Sequence, residues 1–179
     1  MSYSNKLSRF EQLILPHLDA AYNLARWLTN HDQDAQDVVQ EASLRAFRAF
    51  DTFYGENGRA WLLTIVRNTA YNLLQKNKPS RLATPFDEEL HGSSGPVESA
   101  TPMTLLRGAE EERNLRAAVE ELPVEFREAL ILRHQDGLSY REIALIAGVP
   151  TGTVMSRLAR ARARLKEFLA RGIREEEAS

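Results

Sequence analysis

Apolar residues recur at three- and four-residue steps along most of the chain, which is the period of amphipathic helices. The first run covers residues 10–28, and Pro16 inside it is expected to bend or interrupt the helix. Two further runs cover residues 38–47 and 61–73. Since no segment alternates strictly between apolar and polar residues, as a half-buried strand does, the pattern predicts an all-α protein.

Proline, glycine and serine accumulate between the third helical run and the next one. The segment 79–107 also holds four acids and only two bases, so we expect an acidic, flexible linker. The sequence therefore predicts two small helical domains, at 7–78 and 108–173. At about 70 residues each, either domain alone would be only marginally stable.

The sequence of the C-terminal domain predicts four helices, and the last two form a candidate helix-turn-helix. Ser139 and Glu142 have the spacing of a capping box at the start of the third helix. Gly148 suits the left-handed turn that follows, and the last helix is expected to begin near Thr151.

The last helix has two contrasting sides on a helical wheel. Val154, Leu158, Ala161 and Leu165 fall on one side and are predicted to face the core. The opposite side carries small residues flanked by arginines, and residues 153–174 hold seven bases and one acid. Such a face lets a helix approach a DNA groove while guanidinium groups reach phosphates or guanine edges. A plain solvated helix is the alternative interpretation of the arginines.

Several motifs resemble bacterial sigma factors of the extracytoplasmic-function group. The C-terminal motifs LSYREIA (138–144) and GVPTGTVMSRLARAR (148–162) are similar to that family's promoter-reading helix-turn-helix. In the N-terminal half, DAQDVVQEA (34–42) with LRAF (44–47) is similar to its polymerase-binding helix, and RAWLLTIVRNTA (59–70) to the helix that opens the start-site bubble. The resemblance covers nearly the whole chain, in the family's order.

The resemblance implies a role for each motif. It implies contacts with the minus-thirty-five element from the last helix, by Thr153, Met155, Ser156, Arg157, Ala159, Arg160 and Arg162. Many relatives carry a base at the position of Met155, so promoter preference is expected to differ. Contacts with the minus-ten region are implied for Phe53, Tyr54, Asn57, Arg67, Asn68, Tyr71 and Asn72. Binding to core RNA polymerase is implied for Asp34, Asp37, Gln40, Glu41 and Arg45.

Each of these interpretations has a structural alternative. The loop 52–58 combines aromatic faces, an amide and glycines, which suits a pocket for an unstacked base, but for Phe53 burial in the core is the better interpretation. The acids before residue 38 also favour a helix N-terminus through its dipole. In the family, the linker threads toward the polymerase cleft, and Asp87, Glu88 and Glu89 would fit that path. A solvated tether is the alternative.

The amino-acid composition of the chain excludes several kinds of catalytic and metal-binding site. The chain has no cysteine, so disulfides, thiolate nucleophiles and cysteine-ligated metals are excluded. Its four histidines lie apart, outside any recognised catalytic or metal-binding spacing, so we expect no enzyme activity, no cofactor and no metal. With neither a long apolar segment nor a secretory layout at the start, we expect a cytoplasmic protein without membrane insertion.

Net charge at first argues against a DNA-binding protein. Acids exceed bases by 25 to 23, whereas affinity for DNA depends on neutralising phosphates. The basic character is confined to one helix, so the free protein is expected to bind DNA weakly. The expected partners are core RNA polymerase, promoter DNA and, by the resemblance, an anti-sigma factor. A stand-alone helix-turn-helix regulator and a sigma-like decoy that binds an anti-sigma protein remain as alternatives.

Overall fold

The computed structural model describes residues 3–81 and 102–178, and within these ranges every regular element is a helix. The eight α-helices are α1 (Tyr3–Leu13), α2 (Leu18–Thr29), α3 (Asp32–Ala49), α4 (Gly58–Arg81), α5 (Pro102–Glu120), α6 (Val124–His134), α7 (Tyr140–Ala147) and α8 (Thr151–Glu177). Short 3-10 helices lie at Leu15–His17 and Phe50–Thr52. The all-α prediction is confirmed.

The N-terminal domain is a bundle in which α2, α3 and α4 pack against one another. Its core is formed by small and branched residues that recur on the inner faces of these helices, including Leu24, Leu28, Val38, Leu62 and Val66, all at most 2% exposed. Pro16 interrupts the first helical run as predicted, because it lies in the 3-10 helix that separates α1 from α2.

In the C-terminal domain α8 is the central element and packs on α5, α6 and α7. The capping box that opens α7 is present in full: the Glu142 backbone N–H donates to Ser139 Oγ over 3.2 Å, and Glu142 Oε2 accepts from the Ser139 N–H over 2.8 Å. Gly148 ends α7 with φ of 67°, the left-handed conformation that glycine adopts without a steric penalty. The predicted helix-turn-helix is therefore formed by α7 and α8.

Ser139→Ala is expected to lower the free energy of unfolding of the chain by about 0.5–2 kcal/mol, because the first turn of α7 loses its side-chain acceptor. Urea unfolding followed by circular dichroism measures the change. Ser156→Ala is the matched control, since Ser156 is exposed and its hydroxyl only donates to the Thr153 carbonyl within α8. Equal destabilisation by both substitutions would contradict the importance of the cap.

Helical backbone extends into both ends of the predicted linker. The backbone of α4 is helical through Arg81, and α5 begins at Pro102, so both ends of the segment 79–107 overlap helices. Proline at the first position of α5 is compatible with a helix, because the N–H that it lacks has no intrahelical partner there. The acids Asp87, Glu88 and Glu89 lie outside the described residues.

The two domains pack against each other through α2 with α6 and α4 with α7. Arg127 of α6 is only 6% exposed, and its guanidinium donates to the Leu28 carbonyl at the end of α2 over 3.3 Å and to the Glu120 carbonyl over 2.8 Å. Arg116 of α5 lies over the ring of Trp27, 5.3 Å from its centroid. The C-terminal domain therefore covers part of the N-terminal bundle.

Candidate nucleic-acid interface

The outward face of α8 is the strongest candidate for contact with nucleic acid. Val154, Leu158 and Ala161 are at most 1% exposed and Leu165 packs against the core, as the helical wheel predicts. Five of the predicted contact residues are exposed, Met155, Ser156, Ala159, Arg160 and Arg162, and the other two, Thr153 and Arg157, are half-buried. The candidate DNA-contacting residues are thus brought together on one surface.

Two arginines of α8 are held against their own domain. The guanidinium of Arg164 lies 5.1 Å from the centroid of the Phe126 ring, and Arg162 contacts the imidazole of His134 over 3.4 Å. Arg160 lies between small residues on the exposed face, where its long side chain is free to reach outward. Because Ala159 and Ser156 beside it are small, the helix axis is able to approach a groove closely.

Arg160→Ala is expected to weaken binding to the promoter by about 1–3 kcal/mol, which is typical of one lost base or phosphate contact. Ser156→Arg is expected to alter promoter use, since it places a long charged side chain on the small-residue face. The measurement is promoter affinity in the presence of core polymerase. Arg171→Ala removes the same charge from the far end of α8 and is the matched control. If both Arg160→Ala and Ser156→Arg left promoter use unchanged, α8 would have to present a different face to DNA.

The second candidate surface is the outer face of α3. Asp37, Gln40, Glu41 and Arg45 are exposed there, while Asp34 is half-buried. Glu41 and Arg45 form an ion pair one turn apart, with Nε to Oε1 at 2.7 Å, and the hydrogen bond from Arg45 lowers the pKa of the Glu41 carboxyl. This face is polar and carries both charges, which suits docking rather than burial in the fold.

Leu44 is a surface residue that the apolar pattern assigned to the helical run. Its side chain is 50% exposed, whereas Ala42 and Ala46 on either side are fully buried. The helical wheel gives the reason, because positions two residues apart point to nearly opposite sides of a helix. An apolar side chain beside the exposed acids adds a hydrophobic contact point to the α3 face.

Of the two aromatic residues in the loop before α4, Phe53 is buried and Tyr54 is exposed. Phe53 is 9% exposed and contacts Phe50 and Trp61, with ring centroids 6.0 and 4.9 Å away. Its ring packs in the core in this structure, which is the alternative that the sequence allowed, and contact of Phe53 with DNA stays a prediction. Tyr54 is 92% exposed, and Asn57 is exposed at the start of α4, where its side-chain oxygen accepts from the Ala60 N–H over 3.0 Å.

The polar side of α4 is partly covered by the C-terminal domain. Asn68 and Asn72 are exposed, but Arg67 and Tyr71 are half-buried and both contact Glu128 of α6. The minus-ten set predicted from the sequence is thus not one continuous exposed surface in this arrangement. Sequence patterns gave no signal for Glu128, since its partners lie 57 and 61 residues earlier in the chain.

The described residues contain no group of three or more histidines and acids placed to hold a metal ion, and none of their helices is long and apolar enough to cross a membrane.

Comparison with known protein families gives two matches. Residues 13–79 match the model for sigma-70 region 2, and residues 112–165 match the model for sigma-70 region 4. The first contains the α3 face, the aromatic loop and most of α4, and the second contains the helix-turn-helix.

Curated relatives match over most of the chain. The chain is 41% identical over 134 residues to the ECF RNA polymerase sigma-E factor of Escherichia coli, covering 72% of this chain and 70% of the relative. It is 33% identical over 163 residues to the ECF RNA polymerase sigma factor SigE of Mycolicibacterium smegmatis, covering 90% of this chain but 62% of the relative. The chain therefore spans less than two thirds of the length of that second protein.

Two solved structures of other proteins are similar to the structure of this chain. The sigma factor RpoE of Bartonella quintana, crystallised with the anti-sigma factor NepR, is 32% identical with a TM-score of 0.74, over 90% of this chain and 97% of that one. CnrH in complex with the cytosolic domain of CnrY is 28% identical with a TM-score of 0.61, over 90% of this chain and 87% of that one.

Proposed function

This chain belongs to the extracytoplasmic-function group of the sigma-70 family, and from that premise we propose that it binds core RNA polymerase and directs it to specific promoters. The observation that carries the proposal is the outward face of α8, where small residues and Arg160 stand opposite a fully buried apolar side. The matches to regions 2 and 4 in their order along the chain support it.

The three parts of the chain have distinct roles in this proposal. The N-terminal domain, 7–78, binds polymerase through the α3 face and contacts the minus-ten region through the loop and α4. The C-terminal domain, 108–173, reads the minus-thirty-five element in duplex form with α8. The linker 79–107 joins them. Every contribution is a binding contribution, so the protein is a specificity subunit and not an enzyme, and it acts in the cytoplasm with polymerase and DNA.

We also propose that an anti-sigma factor controls this chain. The support comes from two relatives of similar structure that were solved with such a partner or a cytosolic domain bound. The exposed polar faces of α3 and α8 lie on different domains, so a partner that contacts both domains would block both functions.

Asp37→Lys is expected to weaken binding to core polymerase at least about tenfold, because it reverses a charge on the α3 face and a mispaired charge at an interface costs about 1.4 kcal/mol or more. The measurement is fluorescence anisotropy of the labelled chain titrated with core polymerase. Glu11→Lys makes the same charge reversal on the exposed surface of α1 and is the matched control. Equal affinity of both variants for polymerase would contradict the role of the α3 face.

A further inference from the structure

The outward face of α8 carries one large apolar side chain among its polar and small residues. The side chain of Met155 is 54% exposed, and among the residues of α8 whose side chains the structure describes it is the one large apolar residue that is exposed. Further along the helix, Leu165, Phe168 and Leu169 are half-buried. Met155 therefore contributes little to the core, and its apolar surface is available to whatever contacts this face.

The side chains around Met155 are shorter than its own. Its neighbours one turn away on the helix surface are Gly152 and Ala159, and both are exposed. A Cβ added at Gly152 would meet no atom within 4 Å. Ser156 is also exposed, and its hydroxyl donates to the Thr153 carbonyl over 3.1 Å within the helix. A surface that approaches this part of α8 is therefore able to contact the methionine side chain without obstruction from its neighbours.

The position of Met155 along α8 decides which part of a DNA duplex it would meet. The helix begins at Thr151, so Met155 lies at the start of the second turn. In helix-turn-helix proteins, the N-terminal residues of the second helix contact base edges in the major groove. Under the proposed function, Met155 therefore lies where bases are read, and not at the far end of α8.

The chemistry of the major groove limits which base an exposed methionine favours. Guanine and adenine present hydrogen-bonding atoms there, cytosine presents an amino group, and thymine presents a carbonyl oxygen together with its C5-methyl group. A thioether is a weak acceptor and has no donor, so packing it on a polar edge removes water without replacing the lost hydrogen bonds. Contact with the thymine methyl has no such cost, and the flexible methionine side chain adapts to its position.

We propose that Met155 is a specificity-determining residue that selects thymine, through contact with its C5-methyl group, at one position of the duplex element that α8 reads. The inference rests on the proposed function and goes beyond it by naming the chemical group that is recognised. Loss of that methyl group weakens promoter binding about fourfold, which is the effect of one buried methyl-sized group.

The test replaces thymine with uracil in the DNA, since uracil keeps the hydrogen-bonding edge and lacks only the methyl group. The probe is a promoter fragment that core polymerase uses only with this chain, and each thymine of its upstream element is replaced in turn. Affinity of the complex of polymerase and chain is measured for each fragment. With the wild-type chain, we expect one replacement to weaken binding about fourfold.

Variants of Met155 identify the side chain that is responsible. Met155→Ala is expected to bind the thymine and uracil fragments equally, because the side chain that contacts the methyl group is gone. Met155→Leu keeps a large apolar side chain and is expected to retain a preference for thymine. Leu145→Ala is the matched control, since Leu145 is a 73% exposed apolar residue of α7 outside the outward face of α8, and it is expected to keep the full preference.

Two results would overturn the inference while leaving the proposed function intact. One is an upstream element in which no thymine methyl affects binding, and the other is a preference for thymine over uracil that persists in Met155→Ala. Both are measured on a promoter that already depends on the chain. Failure to find any such promoter would instead contradict the proposed function itself, so the two failures are distinguishable.

Discussion

Leu158→Ala is expected to lower the free energy of unfolding by about 2–5 kcal/mol, because Leu158 is 1% exposed and the truncation leaves a cavity beneath α8. That loss is a large fraction of the total stability of a small domain. The outward face of α8 keeps its sequence, yet promoter-dependent transcription is expected to fall with the folded fraction. Urea unfolding and transcription on the same preparations measure the two effects.

Met155→Ala is the control for this prediction on the same helix. Met155 is 54% exposed, so its truncation is expected to change stability by no more than about 0.5 kcal/mol. Any effect on promoter use would then report contact with DNA and not folding. If Leu158→Ala unfolded at the same urea concentration as Met155→Ala, the assignment of the buried side of α8 would be wrong.

Gly58→Ala is expected to destabilise the N-terminal domain by about 1–3 kcal/mol, the range for inserting atoms into a filled site. A Cβ on Gly58 would lie 2.6 Å from the Leu13 carbonyl oxygen and 3.3 Å from Ile14 Cδ1. Because the closer neighbour is backbone, the start of α4 has to move away from the end of α1. Thermal unfolding of the full chain measures the change.

Gly172→Ala is the matched control and is expected to act in the opposite direction. Gly172 lies in the exposed part of α8, and an added Cβ there meets no atom within 4 Å. Alanine in a helix is favoured over glycine by about 1 kcal/mol, so this variant should be slightly more stable than wild type. Destabilisation of similar size by both substitutions would contradict the close approach of α1 and α4.

Local features of the fold were predictable from the sequence. The period of apolar residues identified the helices, Pro16 marked the break between α1 and α2, and the pair Ser139 and Glu142 with Gly148 marked both ends of α7. Each of these signals depends on residues within a few positions of one another. For the same reason the buried side of α8 followed from its helical wheel alone.

Features that depend on contacts between distant residues were not predictable. Arg67 and Glu128 are 61 residues apart, and no local pattern indicates that their helices meet. Phe53 packs with Phe50 and Trp61, but an aromatic residue in a glycine-containing loop has the same local sequence whether it faces the core or DNA.

The net charge of the chain is near neutral because acids elsewhere in the molecule offset the basic residues of α8. The acids that offset the basic α8 include Glu128 and Asp136, which are used inside the molecule to hold arginines of α4. The formal charge of −2 therefore reports neither the surface of α8 nor the strength of DNA binding. Specificity is expected to emerge when polymerase contributes the remaining contacts.

Mapping of transcription start sites is the most direct test of the central claim that this chain gives core RNA polymerase its choice of promoter. Core polymerase is supplied with a library of promoter fragments, alone, with the chain, and with the Arg160→Ala variant. If the chain selects promoters, a set of start sites appears only with the wild-type chain, shares an upstream duplex element and is reduced by Arg160→Ala. Identical start sites with and without the chain, or duplex binding that is independent of polymerase, would contradict it.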